Sequence, residues 1–341
     1  MWIYLARRMM ALIPTLLGIT IIAFVIINLA PGGPIEQKLM QMRFGTGGEG
    51  SSFGHNTQQA VSQEVIDELK KQYGFDKPLP TRYLLWLKNL SKFDFGQSFS
   101  FEEPVLKVIV DRMPISLEFG VVSFLIAYLL CIPLGIAKAV WKGSKFDTGT
   151  SLMLFTAHST PSFMLAILLI VFFGGGSFFD WFPITGAVSD NYADLHFWGK
   201  VGDRLHHAVL PLICYTIGHF ATMTILMKNS LLEEIRKDYV RTARAKGLGE
   251  GRVVLHHAFR NALIPIATGF GDILSVFFAG SLLIETIFGL GGMGWLSFQS
   301  VVSRDYNVVM GLLVIQSFMY LLGNILSDIL YLFIDPRIDF A

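Results

Sequence analysis

The chain has 341 residues, 52% of them hydrophobic and only 16% charged, with a mean hydropathy of +0.53. A soluble domain carries roughly a quarter of its residues as charges, so this composition points to a bilayer. The net charge of +1 gives no electrostatic footprint for a nucleic-acid partner, and the two cysteines, Cys131 and Cys214, sit in apolar runs and offer neither a disulfide framework nor a metal-ligand spacing.

Trp2 to Arg8 is a short basic and aromatic lead, and Met9 to Ala30 is apolar. At about 20 residues this run is long enough to cross a hydrocarbon core and longer than a signal-peptide apolar region. It ends in Ala30, Pro31, Gly32, Gly33 and Pro34, not in a small-x-small cleavage pattern. Residues 1–30 are therefore expected to be a retained first transmembrane helix, with Arg7 and Arg8 holding the N-terminus in the cytoplasm. Residues 31–116 turn soluble in character and are expected to be a large extracytoplasmic insertion. Gly45 to Asn56 reads as a loop. Gln63 to Tyr73 reads as a helix, with Val65, Ile66 and Leu69 on one side and Gly74 as a stop. Pro78, Leu79 and Pro80 lead into Arg82 to Leu90, whose Tyr83, Trp86, Leu87 and Leu90 suit a membrane interface.

Five more long apolar runs follow, at Leu117 to Ala139, Leu152 to Phe173, Ala208 to Met227, Ala262 to Ile287 and Val308 to Ile334. A lipid-facing backbone must satisfy its own hydrogen bonds, so each is read as a helix. The expected fold is an all-α membrane protein of six transmembrane helices, with a five-helix core over 117–334 and a cytoplasmic tail over 335–341. Pro133, Pro161, Pro211 and Pro265 inside the runs suggest kinks. With the N-terminus inside, the cytoplasmic pieces hold Arg7, Arg8, Lys138, Lys142, Lys145, the basic stretch from Lys228 to Arg260, and Arg337. The two short outer loops hold only Lys200, Arg204 and Arg304. That asymmetry places both termini in the cytoplasm.

The basic stretch contains the most distinctive segment of the chain, 231–248, reading LLEEIRKDYVRTARAKGL. As one helix it puts Leu232, Ile235, Tyr239 and Ala243 on a single face. Glu233 and Glu234 lie in its first turn and Arg244 and Lys246 in its last, opposing the macrodipole at both ends. Gly247 supplies a left-handed stop. Glu233 with Lys237, and Asp238 with Arg241, are spaced to pair. Thr242, Ala243 and Ala245 are small, which lets another protein approach the backbone. The alternative is a solvated loop helix with no partner.

Other patterns are set aside on mechanism. Gly289, Gly291 and Gly294 spell GxGxxG but follow a membrane run where a dinucleotide site needs a strand. No GxxxxGK[ST] phosphate loop occurs, so energy is expected from another subunit. His206 with His207, and His256 with His257, are adjacent and lack ligand spacing, so no metal site is assigned, and no catalytic constellation is visible. Ionisable groups within spans are costly and carry more weight. Asp272 lies about ten residues into its run, roughly 15 Å deep at the helical rise. Asp272, Glu285, Asn324 and Asp328 are pathway or gating candidates. The last two share a polar stripe with Tyr331.

The run Asp238, Tyr239, Val240, Arg241, Thr242, Ala243, Arg244, Ala245, Lys246, Gly247, Leu248, followed by Arg260, Asn261, Ala262, Leu263, Ile264 and Pro265, resembles the cytoplasmic motif of permease subunits in binding-protein-dependent ABC importers of the dipeptide, oligopeptide and nickel group. Similarity to that family extends over nearly the whole chain. It includes Tyr73 to Leu79, Phe93 to Ser98, Glu285 to Phe288, and the closing Asp335, Pro336 and Arg337. Gly289 and Leu290 depart from its usual tryptophan-proline-glycine turn. The run Pro31 to Pro34 with Gly33 in place of the usual Asp, Lys138 to Asp147, Gly174 to Pro183, and Ser303 to Tyr306 look most like the oligopeptide branch that also takes up microcin C.

The resemblance implies a type I ABC importer permease fold in a bacterial inner membrane. It makes 231–248 the coupling helix for ATP-binding subunits, with Asp238, Tyr239, Arg241, Thr242, Ala243, Arg244, Ala245, Lys246 and Gly247 at the contact. It further implies a second homologous permease, a periplasmic substrate-binding protein, a peptide substrate and surrounding lipid. ATP and Mg would bind the partner subunits, and no cofactor would bind this chain. Nickel chelate and heme are the alternative cargoes within the family. A stand-alone secondary transporter would show internal repeats with paired broken helices, and none is visible.

Overall fold

The computed structural model describes residues 2–29, 33, 76–176, 178–268 and 280–334. Among them the backbone is helical, with turns and one isolated bridge between Gln97 and Pro104. The principal helices are α1 (Trp2–Leu29), α2 (Leu79–Leu90), α3 (Val105–Val140), α4 (Lys145–Ser159), α5 (Ser162–Phe173), α6 (Phe197–Glu234), α7 (Asp238–Ala245), α8 (Leu282–Ile287), α9 (Met293–Val302) and α10 (Tyr306–Ile334). Short helical pieces, including a π turn at Val253–Ala258, connect Glu250 to Thr268.

Arg7–Leu29, Val105–Val140, Phe197–Glu234 and Tyr306–Ile329 are each long and apolar enough to cross a membrane. The run expected as one span over Leu152 to Phe173, kinked at Pro161, is a sharply bent pair, with α4 and α5 meeting at 99°. Proline explains the break. Thr160 before Pro161 is extended, with φ −84° and ψ 120°, the region a proline ring favours in its predecessor. Pro133 and Pro211, by contrast, are absorbed within continuous helices. The expected run from Ala262 to Ile287 crosses 269–279, which lies outside the described residues, as do Asp272, the Gly45 to Asn56 loop, the Gln63 to Tyr73 helix and Asp335 to Arg337.

Two helices begin earlier than hydropathy suggests. α3 starts at Val105, ahead of the expected Leu117, because Val105, Val108 and Ile109 are buried and give its first turns an apolar seat. α6 starts at Phe197, ahead of the expected Ala208. α5 exposes large apolar side chains, among them Phe163, Met164, Ile167 and Phe172.

The chain forms two compact units, residues 1–12, 112–295 and 316–341, and residues 13–111 and 296–315. In the latter, Tyr83 and Trp86 of α2 pack on Phe24 of α1 with ring centroids 5.4 and 6.4 Å away. The Tyr83 and Thr20 hydroxyls share a 2.9 Å hydrogen bond. The two aromatic rings expected at a membrane interface are thus committed to this packing. In the same unit the wholly buried Asp305 accepts from Ser98 Oγ at 2.5 Å and from Ser100 N at 3.0 Å, fixing the loop before α3 to the turn before α10.

In the other unit α3 and α6 cross at Gly135. A Cβ there would lie 2.6 Å from Met227 Cβ and 3.0 Å from the Thr224 carbonyl oxygen. Below the crossing, Met227, Leu231, Ala139, Val240, Ala243, Val253, Val254, Ala258, Ala262 and Ile266 form one apolar cluster.

Candidate coupling site

The 231–248 segment is two elements. Leu231 to Glu234 complete α6, the chain turns over Ile235 to Lys237, and α7 runs from Asp238 to Ala245. The cause is Glu234, whose carboxylate accepts from Lys237 Nζ at 2.5 Å and from Tyr239 Oη at 2.5 Å. The turn is tightened by i to i+3 backbone bonds from Arg236 N to Glu233 O and from Lys237 N to Glu234 O, and Lys237 is extended at ψ 152°. Lys237 therefore pairs with Glu234, not with the expected Glu233. The Asp238 and Arg241 pair forms at 3.3 Å, and Gly247 takes the left-handed φ of +81°.

The buried face of α7 is Val240 and Ala243, seated in the apolar cluster. Ala243, expected at a partner contact, is 6% exposed and belongs to the interior of this chain. The spacing of Leu232, Ile235, Tyr239 and Ala243 assumed one straight helix, and the turn removes that register. Asp238, Arg241, Thr242, Ala245, Lys246 and Gly247 remain exposed, and nothing lies within 4 Å of where a Gly247 Cβ would stand. Thr242 Oγ1 donates to Asp238 O at 2.9 Å, so its methyl and the Ala245 methyl are the small groups on the open side.

Charges brace the ends of this element. Arg244 donates from Nε and Nη2 to the Glu250 carboxylate at 2.7 and 3.1 Å, which holds the Glu250 carboxyl below its ordinary value. Burial, with the Glu234 carboxylate beside it, pushes the Tyr239 phenol up to about 12, and Asn261 Nδ2 donates to the same phenol oxygen at 3.0 Å. The exposed His256 and His257 lie on the π turn, whose Val253, Val254 and Ala258 face the cluster.

Two buried polar centres stand apart from α7. Glu285, singled out in the sequence as a pathway or gating residue, has no exposed surface. Its oxygens accept from Ser116 Oγ at 2.6 Å, Tyr215 Oη at 3.1 Å, Ser281 N at 3.3 Å and Trp295 N at 2.9 Å. The GxGxxG glycines fold the chain over it. Gly289 and Gly291 have φ of +61° and +65°, and a Cβ on Gly294 would lie 2.6 Å from Leu282 N. The pattern is a tight corner between α8 and α9. Asn324 is half-buried on α10, and Asp328 forms an ion pair with Arg8 of α1.

The second centre was not found by sequence reasoning. Asp147, in the first turn of α4, lies 3.1 Å from Lys138 Nζ of α3 and 2.6 Å from Lys228 Nζ of α6. Lys138 has no exposed surface, and its ammonium donates to Asp147 O, Thr150 Oγ1 and Ser151 Oγ at 2.8, 2.7 and 2.8 Å. The available signal was a lysine near the end of an otherwise apolar run, which needs a partner once buried.

A family model described as the binding-protein-dependent transport system inner membrane component matches residues 131–340. The chain is 48% identical to the peptidoglycan transport system permease protein YejB of Agrobacterium fabrum, covering 99% of this chain and 98% of that protein. It is 45% identical to the inner membrane ABC transporter permease protein YejB of Escherichia coli O157:H7, with the same coverage of 99% and 98%. It is 35% identical to the oligopeptide transport system permease protein AppB of Bacillus subtilis, covering 99% of both chains.

Proposed function

Because this chain belongs to the family of inner membrane components of binding-protein-dependent transport systems, we propose that it is the peptide-translocating permease subunit of an ABC importer and that α7 is where it meets the motor. The relatives named for oligopeptide and peptidoglycan transport support peptide as the substrate class. In this reading a second homologous permease completes the pathway, a periplasmic binding protein delivers cargo, and ATP with Mg is held by separate ATP-binding subunits. Asp272, Asn324 and Asp328 line or gate the pathway, and Glu285 holds the corner between α8 and α9.

The observation that carries the reading is the division of α7 into two faces. Val240 and Ala243 bind it to its own bundle, while Asp238, Arg241, Thr242, Ala245, Lys246 and Gly247 stay open. A charged, small-sided element whose Val240 and Ala243 face its own bundle while Thr242, Ala245, Lys246 and Gly247 stay open suits docking against another protein. The positive charge around Lys228 to Arg260 supports a cytoplasmic position for α7, within reach of ATPases.

Co-purification from native membranes tests this directly. Wild-type chain brings down ATP-binding subunits, and Thr242→Trp or Ala245→Trp loses them while remaining in the membrane. Retention of the subunits together with full peptide uptake in both variants would sink the assignment of α7.

A further inference from the structure

We propose that Lys228 is a positioning residue that passes displacement of α7 into the bent α4 and α5 pair through Asp147. This inference rests on the coupling role proposed for α7.

The geometry separates a local pin from a distant tie. Lys138 and Asp147 are nine positions apart across the turn joining α3 to α4, and Gly143 N also donates to Asp147 Oδ2 at 3.0 Å. Ser144 Oγ accepts from Asp147 N at 3.2 Å and caps α4. These bonds fold the turn without help from elsewhere. Lys228 reaches Asp147 from 81 positions away, at 2.6 Å.

Charge balance makes the same distinction. Asp147 needs one buried ammonium for neutrality, and Lys138 supplies it with its three protons all accepted by oxygen. The second ammonium leaves the cluster with an excess positive charge in a nearly closed site, where side-chain exposure is 8% for Asp147 and 17% for Lys228. Folding of the turn does not require that excess, and desolvating an added cation opposes it. Its remaining consequence is mechanical, since it fastens α6 to the first turn of α4.

The fastening lies on the path from α7. α6 runs into the turn at Ile235 to Lys237 and then into α7, and Met227, next to Lys228, shares a cluster with Val240 and Ala243. Movement of α7 shifts the end of α6, and Lys228 conveys that shift to α4, which meets α5 at 99°. Interfaces of this kind switch between discrete packings and do not deform smoothly, so one short ion pair is enough to bias them.

The test uses the complete importer in proteoliposomes, with its partner permease, ATP-binding subunits and peptide-loaded binding protein. Lys228→Met retains the Lys138 and Asp147 pair. It is expected to assemble normally and keep basal ATP hydrolysis, while peptide taken up per ATP falls about tenfold, within the range for an interrupted coupling path. Lys228→Arg, which restores a cation, recovers the ratio. Uptake per ATP within about twofold of wild type in Lys228→Met would overturn the proposal. So would failure of that variant to assemble, which makes the pair structural. Ala245→Trp run in parallel keeps the two ideas apart, with loss of the ATP-binding subunits and loss of uptake per ATP both read as uncoupling. If it uncouples and Lys228→Met does not, the tie is wrong. If it leaves coupling intact, the assignment of α7 is wrong.

Discussion

Tyr239 donates its hydroxyl hydrogen to Glu234 at 2.5 Å, bridging the turn that separates a long apolar helix from the short polar one after it. The bond joins the last residue of α6 to the second of α7, and Asn261 donates to the same phenol oxygen. Tyr239→Phe removes the bridge and leaves Glu234 with Lys237 alone. The expected cost is about 1.5 to 3 kcal/mol of local stability, the value of a hydrogen bond to a charged group. Backbone amides of 236–245 then exchange faster with solvent while those of α3 are unchanged. Identical exchange in both proteins would show that the turn holds without the phenol.

Ala243 and Ala245, two positions apart on α7, separate packing from docking. Ala243→Trp forces a large ring into the cluster of Met227, Leu231 and Val253 and is expected to destabilise the chain by about 1 to 3 kcal/mol, as overpacking does. Its signature is lower yield and a lower melting temperature in detergent. Ala245→Trp projects into open space and leaves both unchanged. Equal melting temperatures for the two variants would contradict the assignment of faces.

Glu285→Gln is expected to be severe despite its similar shape. The carboxylate accepts from Ser116, Tyr215, Ser281 N and Trp295 N, each of them a donor. An amide directs its own donors at some of them, leaving buried groups unsatisfied at about 1 to 3 kcal/mol each. Thermal unfolding should shift clearly, whereas Glu285→Asp, which keeps the acceptors, shifts less. A melting temperature for Glu285→Gln equal to wild type would refute this account of the corner.

The Arg244 and Glu250 pair sets a pH dependence on the turn after α7. The carboxyl is held below its ordinary value of 4.5, so its contribution is complete above 4.5 and is lost as pH falls through the lower folded value. Motion of a nitroxide spin label attached at Gly249→Cys should be constant from pH 7 to about 5 and accelerate only under stronger acid, below the range where free carboxylates protonate. Acceleration already near pH 6 would assign the effect to another group. High salt, which screens exposed pairs, should mimic acid weakly.

Bilayer thickness dictates the length of apolar runs, so α1, α3, α6 and α10 were legible from hydropathy, and proline chemistry marked Pro161 as a place of deformation. What hydropathy averages away is the size of that deformation, because one extended residue at Thr160 reorients two helices that are both apolar. The coupling segment shows the opposite limit. Its apolar spacing was compatible with one uninterrupted helix, and the residue that ended it, Glu234, acts by gathering Lys237 and Tyr239, a preference no periodicity encodes. Lys138, Asp147 and Lys228 were each visible, but nothing in a linear chain states that positions 147 and 228 meet.

The crossing of α3 and α6 at Gly135 has an evolutionary consequence. Most surfaces of this bundle accept exchange among leucine, isoleucine, valine and methionine, since a fluid solvent or an adaptable neighbour refills the volume. At Gly135 a single added carbon meets Met227 at 2.6 Å, so the smallest possible enlargement acts as a wedge between two rods. Sequence drift is therefore gated at one hydrogen atom, and a library of random variants selected for uptake should come back blank there while the lipid-facing positions around it fill with substitutions.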